Sequence, residues 1–276
     1  MKKSFERAQR RREEGHGYKH DLGQNFLYDD ALLEELVQST GVTKADSVLE
    51  IGPGSGMLTK HLCPHAGKVL AVEVDHDIIP FLKVNTAAFS NLEIVEGDIR
   101  KQNLRELCAP LGENFLVIAN IPYNITTPIF EALWESGLSI RQISVMIQKE
   151  VAEKLMAAPS TAAYGLMSVK CQYYCTPRLE CIVPAEKFTP PPKVDSAFVH
   201  LERSRCRSTE VQNERRLFSL LRAGFNLRRK TLSNALRSVV EPDALRAAME
   251  QAEISPTARA EELSVDDWIR LSNACP

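Results

Sequence analysis

Residues 47–56 read Ser-Val-Leu-Glu-Ile-Gly-Pro-Gly-Ser-Gly, and the rest of the chain is organised around them. Val48, Leu49 and Ile51 make a short apolar run suited to a buried strand, and Gly52, Gly54 and Gly56 then punctuate a tight turn before a helical pattern. Glycines at such a turn reach backbone angles that other residues avoid and let a ligand approach the main chain, while the next helix presents unpaired N–H groups. The spacing is Gly-x-Gly-x-Gly, with Met57 standing where a nicotinamide fingerprint has its third glycine. Alone, the pattern also fits a plain strand-to-helix turn.

The pattern on either side is that of an alternating α/β chain. Before it, Leu32, Leu33, Leu36 and Val37 share one helical face that ends at Gly41. After it come a helix over 57–65, a strand over 67–74, a helix over 77–88, the strand Leu-Glu-Ile-Val-Glu-Gly-Asp ending at Asp98, and a strand over 115–119. A helix over 127–136 and a strand over 142–147 continue the alternation, and 170–174, 181–183 and 196–201 read as further strands. From Leu217 to Trp268 the apolar spacing is helical. The expected architecture is a Rossmann-like α/β domain over residues 21–205, preceded by a basic flexible arm over 1–20 and followed by a smaller all-helical domain over 206–276.

Composition excludes several classes. The 276 residues are 44% hydrophobic and 25% charged, as in ordinary globular proteins, with no run long enough for a membrane span and no signal-peptide pattern, so a cytoplasmic location is expected. Seven cysteines without CxxC spacing argue for reduced thiols rather than disulfides or a zinc site, and no metal is expected. The net charge is only −2, yet it is unevenly spread. Seven Lys and Arg face three Glu in residues 1–20, ten face two between Arg203 and Arg237, and three face eight acids from Ser238 onward. That asymmetry marks a polyanion-binding surface, with Arg215, Arg216, Arg222, Arg228, Arg229, Lys230 and Arg237 as its candidates.

Strand ends carry the chemistry. Glu73 lies 23 residues after Glu50, near the offset at which an acid in this fold accepts from both ribose hydroxyls. Asp98, one strand later, stands where a carboxylate accepts from an adenine amine. Gly-x-Gly-x-Gly followed by these two acids is the arrangement of S-adenosylmethionine (SAM) methyltransferases. The fourth strand runs into Asn120-Ile121-Pro122-Tyr123, the form of tetrapeptide that holds an exocyclic amine. An aromatic amine is a poor nucleophile because its lone pair is delocalised into the ring. Accepting its N–H groups on the Asn120 side chain and the Ile121 carbonyl favours tetrahedral nitrogen and aims the lone pair at a methyl donor. Pro122 limits the backbone, and Tyr123 offers a stacking face worth about 1–3 kcal/mol per base.

Leu-Gly-Gln-Asn-Phe-Leu from Leu22, the glycine turn, Gly97-Asp98, Asn120 to Ile125, Met146 to Ala152, Ala163-Tyr164-Gly165, Phe188 to Ala197 and Phe225 to Leu236 together resemble the small-subunit ribosomal RNA adenine dimethyltransferase family. The resemblance runs from about Lys19 to Leu236. It implies double methylation, from SAM, of the N6 amines of two adjacent adenosines in the 3′-terminal hairpin of 16S rRNA. It also implies action on an assembling small ribosomal subunit, and the chain is expected to be a monomer. By the same resemblance Asn25, Leu27, Gly52, Glu73, Asp98 and Asn120 contact the cofactor, and Tyr123 and Phe188 sandwich the target adenine. Ile121 departs from the family's usual Leu, with little consequence expected because the backbone carbonyl is the working group. Two alternatives stay open: the related 23S rRNA adenine methyltransferases of the macrolide-resistance type, and a ribosome-assembly factor that keeps the fold without the activity. A small-molecule methyltransferase would leave the basic stretch unexplained.

Overall fold

The computed structural model describes residues 25–204 and 210–276; the basic arm over 1–20 lies outside the described residues, as does the 205/206 junction. The strands are β1 (Phe26–Leu27), β2 (Ser47–Ile51), β3 (Lys68–Glu73), β4 (Leu92–Glu96), β5 (Phe115–Asn120), β6 (Ile140–Gln148), β7 (Cys175–Val183), β8 (Phe188–Thr189) and β9 (Ser196–Arg203). The helices are α1 (Asp30–Ser39), α2 (Thr59–Leu62), α3 (Ile79–Asn85), α4 (Leu104–Cys108), α5 (Thr126–Glu135), α6 (Lys149–Met156), α7 (Leu166–Tyr174), α8 (Glu214–Asn226), α9 (Leu232–Ala235), α10 (Pro242–Gln251) and α11 (Val265–Ala274).

Seven strands form one sheet in the order β4-β3-β2-β5-β6-β9-β7. The pairs β2–β3, β3–β4, β2–β5 and β5–β6 are parallel. Central strands are buried on both faces, and Val48 to Ile51 and Phe115 to Ala119 are buried residue after residue, with Glu50 the one polar residue among them. The chain leaves β2 toward β3 and β4, then crosses to β5 on the other side. Open α/β sheets bind ligands at such a reversal, beyond the carboxyl ends of the strands. On one face α1 buries Leu33, Leu36 and Val37 with Val48, Leu62, Val69 and Leu116. Each side chain of this kind contributes about 1.5–3 kcal/mol when fully removed from water. Asp29 begins α1 by accepting from Leu32 N at 3.2 Å, and Gly41 follows its end in the left-handed region at φ +68°.

The chain divides into two compact units. One takes the sequence to Lys149 together with Leu179–His200, and the other takes Glu150–Arg178 with Leu201–Pro276. This division differs from the expected single boundary near residue 205 by grouping Glu150–Arg178 with the C-terminal helices. The reason lies in α7, whose Val169 and Tyr173 join Leu217, Phe218 and Leu221 of α8 in the second unit's core. Residues 170–174, expected as a strand, are the end of α7, which buries Val169, Lys170 and Tyr173 at helical spacing. Cys and Tyr fit a strand locally, but packing against α8 decides the outcome: Tyr173 meets the Phe218 ring edge-on at 5.5 Å. Trp268 of α11, fully buried, closes the same core with Phe225 and Leu245. Among the described residues no helix is long and apolar enough to cross a membrane.

Candidate active site

A cavity of about 250 Å³ opens where β2, β3 and β5 end, and its wall includes Asn25, Leu27, Gly52, Glu73, Asp98 and Asn120. All six residues proposed for the cofactor are thus brought together from five separate stretches of chain. Tyr123 and Phe188 do not line it.

The glycine turn is held from the next strand. Gly52 and Gly54 sit at φ +67° and +56°, in the left-handed region where a Cβ is strained. Gly54 N–H donates to Glu73 Oε2 at 2.9 Å, and Glu73 Oε1 accepts from Asp75 N–H at 2.8 Å. Glu73 is only 5% exposed, and burial pushes its pKa up against the pull of those backbone donors. With Val74 N–H adding a weaker third contact, the four lone-pair sites of the carboxylate still leave room for a hydroxyl group. A Cβ on Gly52 would lie 3.6 Å from Pro122 Cδ, which places the glycine turn within van der Waals reach of the tetrapeptide.

In that tetrapeptide, Asn120 closes β5 and its Nδ2–H donates to the Asn25 carbonyl at 3.1 Å. That bond fixes the amide and turns Oδ1, an acceptor, to other partners. Ile121 is buried and its N–H donates to Met146 O at 3.2 Å. The Tyr123 hydroxyl shares a short hydrogen bond with Ser196 Oγ, and burial raises its pKa. Phe188 is 2% exposed, pairs with Leu27 through β8 and β1, and belongs to the core. Its ring offers no open face for a base in this conformation.

Sequence reading missed two residues of this site. Glu50, in the middle of the deciding stretch, lines the cavity while 1% exposed; the Thr59 hydroxyl is its hydrogen-bonding neighbour, and among the described residues its Oε2 has no close partner. Burial, with the Glu73 charge adding to it, pushes its pKa to about 8, so the group is largely protonated at neutral pH. A buried, protonated carboxyl on a cavity wall can both donate and accept, so it suits a polar group of a ligand. Arg100 is the other: it holds Asp98 through a forked ion pair, which keeps the Asp98 carboxyl below its ordinary pKa. An acid inside a glycine motif and a base two residues after another acid were both visible, but neither spacing says that the side chain turns into the cavity.

In the second unit, Arg215, Arg222, Arg229 and Lys230 are exposed. Arg216 instead donates to the Cys275 carbonyl, and Arg228 pairs with Glu261 at 3.1 Å and donates to Tyr164 O at 3.0 Å. The last two hold helical segments together. Among the described residues no three His, Cys, Asp or Glu side chains could together hold a metal ion.

Similar proteins agree with this geometry. A family model described as ribosomal RNA adenine dimethylase matches residues 15–275. The ribosomal RNA small subunit methyltransferase A of Ligilactobacillus salivarius (strain UCC118) is 42% identical over 265 residues, which are 93% of this chain and 90% of that protein. The protein of the same name from Clostridium botulinum (strain Okra / Type B1) is 37% identical over 257 residues, 93% of each. Among solved structures, a dimethyladenosine transferase from Plasmodium falciparum superposes with a TM-score of 0.72 at 27% identity, covering 89% of this chain and 95% of its own. The 23S rRNA methyltransferase ErmE gives a TM-score of 0.69 at 25% identity, covering 91% and 99% respectively. With the match running through both compact units and through every motif around the cavity, the chain belongs to the ribosomal RNA adenine dimethylase family.

Proposed function

We propose that the chain transfers methyl groups from SAM to the N6 amines of two adjacent adenosines in the 3′-terminal hairpin of 16S rRNA, each amine twice. The observation that carries this reading is the Asn120 amide, anchored at Nδ2 by the Asn25 carbonyl, beside a cavity that also holds Glu73 and Asp98. The residues fit SAM: Glu73 for the ribose hydroxyls, Asp98 for the adenine amine, and the buried Glu50 carboxyl as a hydrogen-bond partner for a polar group. SAM supplies an electrophilic methyl on a sulfonium centre.

The chain supplies position. Asn120 Oδ1 and the Ile121 carbonyl accept from the target amine and aim its lone pair. Tyr123, steadied by Ser196, provides the stacking face. Phe188 reaches a base only after the segment from Phe188 onward shifts, because its ring is buried. No strong base is called for, since a methylated aromatic ammonium is acid enough to lose its proton to water.

A base paired in a duplex cannot present N6 to this cavity, so the target is a loop nucleotide or is extruded. Arg215, Arg222, Arg229 and Lys230 provide exposed phosphate contacts, which position the RNA and leave selectivity to its shape. The names of the relatives support the small subunit as substrate. A monomer working in the cytoplasm on a partly assembled particle is the finer form of the same reading. The test is incubation with labelled SAM and under-methylated 30S subunits, 50S subunits and nucleosides, followed by mass spectrometry of the RNA. N6,N6-dimethyladenosine at two neighbouring positions near the 3′ end of the small-subunit RNA is the expected product. Label in 50S RNA alone, or in none of the three, overturns the reading.

A further inference from the structure

The Asp98 carboxylate, only 13% exposed as a side chain, is almost filled by one residue. Its Oδ1 accepts from the Arg100 backbone N–H at 3.0 Å and from Arg100 Nε–H at 2.9 Å, and its Oδ2 accepts from Arg100 Nη2–H at 2.7 Å. Each carboxylate oxygen has two lone pairs in the carboxylate plane, so Oδ1 is saturated and Oδ2 keeps one, on the side away from the guanidinium. Both residues line the cavity. The two parallel bonds from a planar fork also stop the carboxylate from rotating, which a single ammonium contact would not do.

We propose that Arg100 is the positioning residue for adenine recognition: it locks Asp98 so that a single oriented lone pair is presented to the 6-amino group of the cofactor. The inference rests on the reading of Asp98 as the acceptor for that amine. A locked and ionised carboxylate can only accept. It therefore welcomes a 6-amino ring and opposes a 6-oxo ring, whose exposed atom is itself an acceptor. Without the fork the carboxylate is free to turn, its lone pairs are no longer held in one direction, and the distinction between the two rings weakens. Sites built to pair a particular polar group reject analogues lacking it far more strongly than apolar pockets reject a change of size.

Arg100 is 43% exposed as a side chain, so its replacement leaves the core intact. The test is calorimetric binding of S-adenosylhomocysteine and its 6-oxo analogue, S-inosylhomocysteine, to the full chain and to Arg100→Leu, Arg100→Lys and Asp98→Asn variants. The wild type is expected to favour the amino ligand by at least about 100-fold. Arg100→Leu is expected to cut that ratio by about tenfold or more with an unchanged thermal midpoint in the absence of ligand. Arg100→Lys keeps the charge but not the fork and should fall between. Asp98→Asn, whose amide can donate, should abolish or reverse the preference. If Arg100→Leu weakens both ligands equally, or neither, Arg100 does not set the acceptor and the inference fails. A wild type that does not discriminate overturns instead the placement of Asp98 at the adenine, and with it the ground of the inference.

Discussion

Replacing Gly54 with Ala adds one methyl group, and the structure gives its cost in two parts. The backbone at φ +56° lies in the left-handed region, where an L residue pays about 1–2 kcal/mol. The new Cβ would also fall 2.7 Å from Phe26 Cε1 and 3.4 Å from Cδ1, the first closer than real carbon contacts allow. The backbone of Phe26 is held by its pairing with Thr189 in the β1–β8 ribbon, so relief falls to its ring, which lines the cavity and would turn into it. Overpacking of this kind costs about 1–3 kcal/mol. The sum, roughly 2–5 kcal/mol, should lower the thermal midpoint by about 5–15 °C. Gly41→Ala calibrates the first part, because Gly41 is also left-handed at φ +68° and nothing lies within 4 Å of its added Cβ. A double-mutant cycle with Phe26→Ala isolates the second part, with an expected coupling of about 1–2 kcal/mol in favour of the pair. Binding of S-adenosylhomocysteine should weaken in parallel, since the turn that Glu73 holds through Gly54 N–H is displaced. Additive effects of Gly54→Ala and Phe26→Ala, or a Gly54→Ala protein no less stable than Gly41→Ala, would refute the contact argument.

Other perturbations separate the roles of neighbouring residues. Asn120→Ala should abolish methyl transfer while weakening S-adenosylhomocysteine binding only in part; turnover near wild type would remove it from the reaction. Glu50 has its folded pKa raised from the ordinary 4.5 to about 8, so the native state binds the extra proton between those values and stability falls as pH rises through that window. The slope contributed is at most about 1.4 kcal/mol per pH unit. Glu50→Gln should therefore flatten the decline between pH 5 and 8 in urea melts, and an unchanged slope would show that burial does not hold the carboxyl protonated. Arg229→Ala with Lys230→Ala should weaken rRNA binding and reduce the salt slope by roughly 2, with the thermal midpoint kept. Arg228→Ala should instead lower the midpoint, because it breaks the contacts with Glu261 and Tyr164 O.

The parts of this protein that were legible in its sequence are those set by local backbone demands. The left-handed glycines, the acid after β3 and the proline-stiffened tetrapeptide each announce themselves within a few residues, and the cavity is where they meet. What escaped depends on partners far along the chain. Arg216 and Arg228 look like members of one basic surface until Cys275, Glu261 and Tyr164 are seen beside them. Phe188 reads as a platform before a proline run, yet its pairing with Leu27 draws it into the core. The segment 170–174 has strand-like residues and a helical fate, because the apolar positions it shares with α8 recur every three or four residues. Arg100 stood next to its partner in the sequence, but a charged pair two residues apart is read as solvated surface unless the cavity is known.

The two-residue ribbon of β1 and β8 joins Phe26 and Leu27 to Phe188 and Thr189 across some 160 residues of intervening chain. Closing so long a loop is entropically late work for a folding chain, whereas the parallel pairs β2–β3 and β3–β4 join segments much nearer in sequence. The ribbon that backs Asn25 and Leu27 is therefore a later closure than the β2–β3 and β3–β4 pairs. A nascent chain that has passed Tyr123 but not reached Phe188 has the glycine turn, both acids and the tetrapeptide, but lacks the strand that pairs with Phe26 and Leu27.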